Sequence, residues 1–277
     1  MAHKYAYLNG TIVPRQQASI SVDDIGLLRG LGVFDFIETV NGRPFLLTEH
    51  LLRLRGSLSY ANIHLSLTDN ELNNIIFDLI QKNGFKESTI KIVVTGGKTP
   101  DGKSYDKNSP TIFILIDELS LASVKMAESG VKLITLEYIR EIPEVKVLNY
   151  FMFIKTKHTP QAQGAFNVLY KKAGLITECA TCNFFIFKGN KLITPQRNIL
   201  KGITRDCVLK LAQGIFPIEL RDVQVEELKE ATESFLTVTS VGIAPVLQID
   251  NLVIGNGKIG SNTHKLMQLF HDFAAKN

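Results

Sequence analysis

No apolar run among the 277 residues approaches the roughly 18 that a membrane-crossing helix needs, so no such span is expected. The opening Met1-Ala2-His3-Lys4-Tyr5-Ala6-Tyr7 lacks the charged-then-apolar build of a secretory signal, and a cytoplasmic location is expected. No basic block stands out against a formal charge of +4, which argues against nucleic acid as a partner. Cysteine is scarce, with Cys179, Cys182 and Cys207 only. The Cys179-x-x-Cys182 spacing would want a second pair or nearby histidines to hold zinc, and none follows, so no metal is expected. A redox pair would more naturally open a helix after a strand, whereas Phe184-Phe185-Ile186-Phe187 continues as strand. Internal repeats and low-complexity tracts are also lacking. What remains, 45% hydrophobic and 21% charged, is the ordinary mix of a globular protein, long enough for one large domain or two smaller ones.

Asn9-Gly10 lies between short apolar segments and predicts a hairpin over residues 4–14. The glycine-bearing stretch from Ser21 to Asp35 reads as a loop before a strand through Phe36, Ile37 and Thr39, with a turn at Asn41-Gly42. Thr48 is positioned to cap a helix beginning near Glu49, on which His50, Arg53, Leu54 and Ser57 share one face. A second helix is expected from about Thr68 to Lys82, and strands over Thr89–Thr95 and Thr111–Ile116. A strand at 131–138 and a helix from about Tyr150 to Gln163 follow. Strands come next at 167–171, 174–177, 183–187 and 191–194, then a helix at 204–213, a strand at 235–239 and a helix at 261–275. This mixture predicts an α/β or α+β protein in two unequal parts: 1–118, a linker at 119–124, and 125–277.

Two phosphate-binding patterns occur and both fail on context. Gly97-Lys98-Thr99-Pro100-Asp101-Gly102-Lys103-Ser104 matches the P-loop spacing. That loop must lead straight into a helix, and Pro110 stands too close for one. Gly255-Asn256-Gly257-Lys258-Ile259-Gly260 matches a dinucleotide fingerprint, but a second parallel strand and a distant acid must follow, and the sequence ends at Asn277.

The remaining chemistry sits between Glu141 and Thr204. Lys146 lies among Val145, Val147, Leu148, Tyr150 and Phe151, a setting in which a desolvated amine can form a Schiff base. Glu178 stands among Ile176, Thr177, Cys179 and Ala180, and a carboxylate there wants a partner, such as a protonated pyridine nitrogen. Gly202-Ile203-Thr204 opens a helix, where free amides and a hydroxyl suit a phosphate as well as an ordinary N-cap.

The order of these features resembles the fold-type IV pyridoxal-phosphate enzymes: branched-chain aminotransferases, D-amino-acid transaminases and aminodeoxychorismate lyase. The resemblance runs through Arg29-Gly30-x-Gly32-Val33-Phe34-Asp35, His50-Leu51-x-Arg53-Leu54-x-x-Ser57, Val145-Lys146-x-Leu148-Asn149, Glu178-x-x-x-x-Asn183 and Leu200-x-Gly202-Ile203-Thr204-Arg205. It ends at Thr239 and Ala244-Pro245-Val246. It implies a small N-terminal α+β domain, a larger C-terminal domain with a barrel-like sheet, pyridoxal phosphate between them, and a homodimer. Lys146 would be the Schiff-base lysine and proton carrier, Glu178 the partner of the pyridine nitrogen, and Arg53, Ile203, Thr204 and Thr239 the phosphate contacts. Tyr150 would meet the ring oxygen, although its spacing from Lys146 is one short of the branched-chain pattern.

The resemblance also implies amino-group transfer between an amino acid and a 2-oxo acid. The Arg-x-His pair of D-amino-acid enzymes is replaced here by Pro100-Asp101-Gly102-Lys103, and the tyrosine-bearing loop of branched-chain enzymes by Leu27-Leu28-Arg29-Gly30. Arg29, reaching in from the partner subunit, and Lys91 are therefore the expected grip on the substrate carboxylate. This leans toward a D-amino-acid transaminase, with L-branched-chain transamination and the lyase as alternatives.

Overall fold

The computed structural model describes residues 5–159, 162 and 164–276, and every side chain among them except that of residue 123. The fold is mixed α/β, and the chain divides into two units: residues up to Leu119 together with Val145–Asn149, and Ser120–Glu144 together with Tyr150–Lys276.

The first unit is built from β1 (Tyr5–Leu8), β2 (Thr11–Pro14), α1 (Ile25–Arg29), β3 (Gly32–Val40), β4 (Arg43–Pro44), α2 (Leu47–Tyr60), α3 (Asp69–Asn83), β5 (Ser88–Thr95) and β6 (Thr111–Glu118). Its antiparallel sheet has the order β2-β1-β6-β5-β3-β4. Strand alternation sorts its residues cleanly. Val33, Asp35 and Ile37 of β3 lie opposite Val94, Ile92 and Ile90 of β5, which lie opposite Ile112, Ile114 and Ile116 of β6. This face is buried, as are Leu51, Leu54 and Leu58 of α2 and Leu72, Ile76 and Leu79 of α3. Each such aliphatic side chain contributes about 1.5–3 kcal/mol on burial. The other face carries Phe34, Phe36 and Glu38 of β3, opposite Val93, Lys91 and Thr89.

Val145–Asn149 joins this unit as a short extra strand on β3. Val147 bridges Val33, Phe34 N–H donates to Lys146 O at 3.0 Å, and Leu148 N–H donates to Gly32 O at 3.2 Å. A Cβ on Gly32 would lie 2.5 Å from Leu148 Cδ1, so only glycine permits this approach. Residues 145–149, expected with the second part, thus group with the first.

Other local expectations shift. The 21–35 stretch contains α1, capped by Asp24, whose side chain accepts from Gly26 N–H. Leu46 at φ 51°, not Thr48, is the N-cap of α2, and no side chain caps it. Thr68 does cap α3, with Glu71 completing a capping box.

The second unit holds α4 (Leu121–Glu128), β7 (Val131–Glu137), α5 (Phe151–Lys157), β8 (Asn167–Lys172), β9 (Leu175–Cys179), β10 (Asn183–Lys188), β11 (Lys191–Thr194), α6 (Ile203–Ala212), β12 (Ile218–Leu220), β13 (Val223–Gln224), β14 (Glu233–Val238), β15 (Gly242–Ile249), β16 (Leu252–Val253) and α7 (Ser261–Ala274). The segment read as a linker at 119–124 contains the first turn of α4. The helix expected to reach Gln163 is assigned only as far as Lys157, and residues 160, 161 and 163 of that expectation lie outside the described residues. The ten-stranded sheet runs β12-β11-β10-β14-β15-β7-β8-β9-β13, with β16 on β15, and curls as a half-barrel. Its centre is apolar on both faces: Phe184 and Ile186 enter one cluster, while Phe185 and Phe187 pack on Phe235, the first pair stacked at 4.7 Å. Proline 245 hides β15 from a sequence reading. It pairs with Phe235 on β14, and the ladder to β7 begins only at Val246, so one side of the strand is free of ladder demands at that residue.

Neither rejected phosphate motif gains a helix of its own kind. An irregular loop follows Gly97–Ser104, and Gly255–Gly260 is the turn between β16 and α7.

Glu38 carries a consequence for stability. It is only 8% exposed, and burial together with the neighbouring Glu87 charge pushes its carboxyl up to about 8. The folded chain therefore keeps a proton that the unfolded chain releases above about pH 4.3. Stability accordingly falls as pH rises from there toward 8. Glu38→Gln is expected to gain roughly 3 kcal/mol on the wild type between pH 5 and pH 8.5. Thermal unfolding midpoints at the two pH values check this, and parallel curves for the two proteins would refute it.

Candidate active site

Lys146 sits 9% exposed. Its backbone N–H reaches Ser57 Oγ of α2 at 3.4 Å, and its Nζ lies 4.5 Å from the centroid of the Phe34 ring. The strand pairing described above sets this: residue 146 is pinned between Gly32 and Phe34, so its side chain meets the Phe34 ring.

Beside it on the opposite face of β3, Asp35 is fully buried. Arg53 donates to it twice, Nε to Oδ2 at 2.9 Å and Nη2 to Oδ1 at 2.7 Å, and His50 Nδ1 lies 2.7 Å from Oδ1. Burial alone would raise the Asp35 carboxyl. The hydrogen bonds from His50 and Arg53 override it and hold the group well below the usual carboxylate range. Burial lowers His50 despite its bond to Asp35, and the charges of Arg53 and Lys146 push the same way. Among the described residues Arg53 Nη1 makes no hydrogen bond, which leaves one edge of the guanidinium for an anion. The i, i+3 spacing of His50 and Arg53 put them on one helix face as expected; their common partner Asp35 was given no role from sequence.

The two expected carboxylate-binding cations are both exposed. Lys91 shares the sheet face of Phe34 and Phe36. Arg29 closes α1 and donates from Nε to Gly102 O at 3.0 Å, which ties its loop to the one standing where an Arg-x-His pair was sought.

In the second unit Glu178 ends β9 and is 5% exposed at its side chain. Arg140 donates to Oε1, from Nε at 2.9 Å and also from Nη2; Oε2 accepts from Leu200 N–H at 2.9 Å and Asn183 Nδ2 at 3.3 Å. Asn183 also donates to Leu200 O at 2.8 Å, fastening the loop ahead of α6. A Cβ on Gly202 would fall 2.0 Å from Asn183 Oδ1, so glycine is required there. Gly202 is the N-cap of α6 and offers no side-chain cap, which leaves the first amides, Ile203 and Thr204 among them, for another acceptor. Thr239 lies in the turn after β14 and Tyr150 is the N-cap of α5, its ring 6.4 Å from Phe153.

Thr237 stands opposite Asn183 in the β10–β14 ladder and so points to the same face. Its hydroxyl is buried with no hydrogen-bond partner, as is Arg205 Nε on the first turn of α6. Uncapped amides and orphaned donors around a glycine-only approach fit a bound phosphate-bearing group. Arg140 and Thr237 were missed by sequence reasoning, because neither spacing nor composition marks them. Cys179 and Cys182 are buried in the apolar cluster behind Glu178, with the Cys179 thiol raised chiefly by burial, as small core residues. No group of three or more metal-binding side chains occurs among the described residues.

This arrangement has counterparts. The sequence pattern of amino-transferase class IV matches residues 32–249. A protein of Methanocaldococcus jannaschii named putative branched-chain-amino-acid aminotransferase is 36% identical, covering 98% of this chain and 96% of its own. The D-alanine aminotransferase of Bacillus licheniformis is 31% identical over 92% of each. Among solved structures, the branched-chain amino acid aminotransferase of Escherichia coli superposes with a TM-score of 0.90 at 25% identity, covering 99% and 95%. That of T.th., solved with pyridoxamine 5'-phosphate, shares the fold with a TM-score of 0.87 at 24% identity, covering 99% and 95%. Class IV aminotransferases use pyridoxal phosphate. A buried lysine amine on an aromatic ring, a carboxylate with its donors, and a match spanning most of the sequence lead to one assignment: the chain belongs to the class IV aminotransferase family.

Proposed function

We propose that the protein transfers an amino group between an amino acid and a 2-oxo acid using pyridoxal phosphate, with D-amino acids as the favoured donors. The observation that carries this reading is the placement of Lys146, whose amine is held on Phe34 by backbone pairing. When bound, pyridoxal phosphate supplies the electron sink that makes an amino acid's α-proton removable. Lys146 holds the aldehyde and moves the proton. Glu178 faces the ring nitrogen. Arg53, Ile203, Thr204 and Thr239 hold the phosphate, and Tyr150 meets the ring oxygen. The protein works as a homodimer.

Lys91 and the partner-derived Arg29 hold the substrate carboxylate. The exposure of Lys91 on the sheet face that carries Phe34 supports this, as does the exposure of Arg29. Similarity to D-alanine aminotransferases supports the D-series. L-branched-chain donors are the second reading, favoured by the 36% identical relative and by the apolar Phe34, Phe36 and Val93 on that face.

Mixing the cofactor-loaded protein with D- and L-alanine, glutamate, valine and leucine, and following the cofactor spectrum, decides between them. A response only to L-valine and L-leucine would replace the D-assignment with the second reading. Lys91→Ala and Arg29→Ala are each expected to raise KM for the donor about 10- to 100-fold. Unchanged KM and kcat in both would dismiss the proposed grip.

A further inference from the structure

We propose that Arg140 is a positioning residue: it keeps Glu178 ionised and aimed, and it anchors the stretch of chain that leads into Lys146. This rests on the function proposed above and names a part of the machinery that function requires.

Arg140 follows β7 by three residues. The chain there is held by Tyr138 N–H donating to Lys171 O at 2.9 Å, and by the Tyr138 ring set edge-on to Tyr170, centroids 5.0 Å apart at 74°. The guanidinium is therefore delivered from a braced segment. It is buried, 9% exposed, against a Glu178 side chain 5% exposed. Its Nη2 also donates to Pro143 O, so one guanidinium holds both the carboxylate and a residue three before Lys146 in sequence.

The donor arrangement around Glu178 indicates the charge state. Two bonds from Arg140 reach Oε1, and the bonds from Leu200 and Asn183 reach Oε2. All four come from groups that only donate, and two carboxylate oxygens offer about four lone-pair sites. A protonated carboxyl would turn an O–H toward donors, so the arrangement suits the anion. The 3.3 Å contact from Asn183 is the longest of the four, and it is the one that a further donor, such as a protonated ring nitrogen, would displace. Without Arg140 the buried carboxylate loses its paired counter-charge and takes up a proton. It then meets a ring nitrogen as a donor, and no longer stabilises positive charge there.

Wild type, Arg140→Gln and Arg140→Lys are loaded with pyridoxal phosphate. Cofactor affinity is measured by absorbance titration, and kcat, KM and the pH–rate profile with the best donor. Failure of the wild type to bind cofactor at Lys146 would overturn the proposed function, and this inference with it. With a loaded wild type, Arg140→Gln is expected to bind cofactor within about tenfold of normal and to lose about 100-fold in kcat with KM little changed. The acidic limb of its profile is expected to move to higher pH. Arg140→Lys is expected to recover about tenfold of the lost kcat, because it restores the charge but not the fork. Wild-type kcat and pH profile in loaded Arg140→Gln would overturn the inference and leave the function standing. Should Arg140→Gln fail to fold, Arg140→Lys alone decides: a lowered kcat with a displaced acidic limb supports the role, and an unmoved limb or a second failure to fold reduces Arg140 to a structural residue.

Discussion

Replacing Lys146 with alanine lowers kcat/KM at least about 10³-fold and leaves no cofactor fixed by borohydride at that position, as located by peptide mapping. The reason is geometric. The bonds that seat residue 146 come from the backbone: its carbonyl to Phe34, its N–H to Ser57, and the flanking bridge of Val147 to Val33. The side chain adds the approach of its amine to the Phe34 ring, an interaction worth about 0.5–2 kcal/mol. Alanine therefore keeps the strand in place and removes the amine alone. Thermal unfolding of Lys146→Ala is expected to stay close to wild type while turnover disappears. Retention of more than about a tenth of the activity would mean that another group moves the proton, and the proposed chemistry would have to be abandoned.

Asp35→Ala carries the largest expected loss of stability, about 3–5 kcal/mol, because it leaves the Arg53 guanidinium and the buried His50 without their shared carboxylate. The pH dependence follows from the depressed folded-state value. A carboxyl held down in the fold contributes stability above its unfolded value near 4, and that contribution is lost as pH falls toward the folded value. The gap between wild type and Asp35→Ala in denaturant unfolding should therefore be constant above about pH 5 and shrink at lower pH. A gap under about 1 kcal/mol at pH 7 would show that Arg53 and His50 find other partners. Cofactor affinity should fall as well, since Arg53 is aimed by this carboxylate.

Much of this was legible beforehand where local rules govern. The Asn9-Gly10 hairpin formed with both residues at positive φ, as a two-residue turn needs. Thr68 capped α3, and the alternation along Ile90–Val94 produced a strand with Lys91 exposed. Local rules failed where a distant contact overrode them. Thr48 lost the cap of α2 to Leu46, which the hairpin carrying β4 places at the helix start in a left-handed conformation. The glycine loop gained α1 because Thr95 Oγ1, far along the chain, donates to the buried Asp24 that caps it.

By itself the sequence determined which residues carry the chemistry, since an amine, a carboxylate and a helix-opening glycine in a set order imply the same reagents wherever the chain places them. It determined the elements too, wherever apolar spacing matched one period. Only the tertiary structure decided how those groups are held: that residues 145–149 pair with β3, that Asp35 gathers His50 and Arg53, and that Arg140 and Asn183 share out the oxygens of Glu178. Each of these joins residues far apart in sequence, and a buried charge takes whichever partner the fold brings within about 3 Å, which no spacing along the chain records.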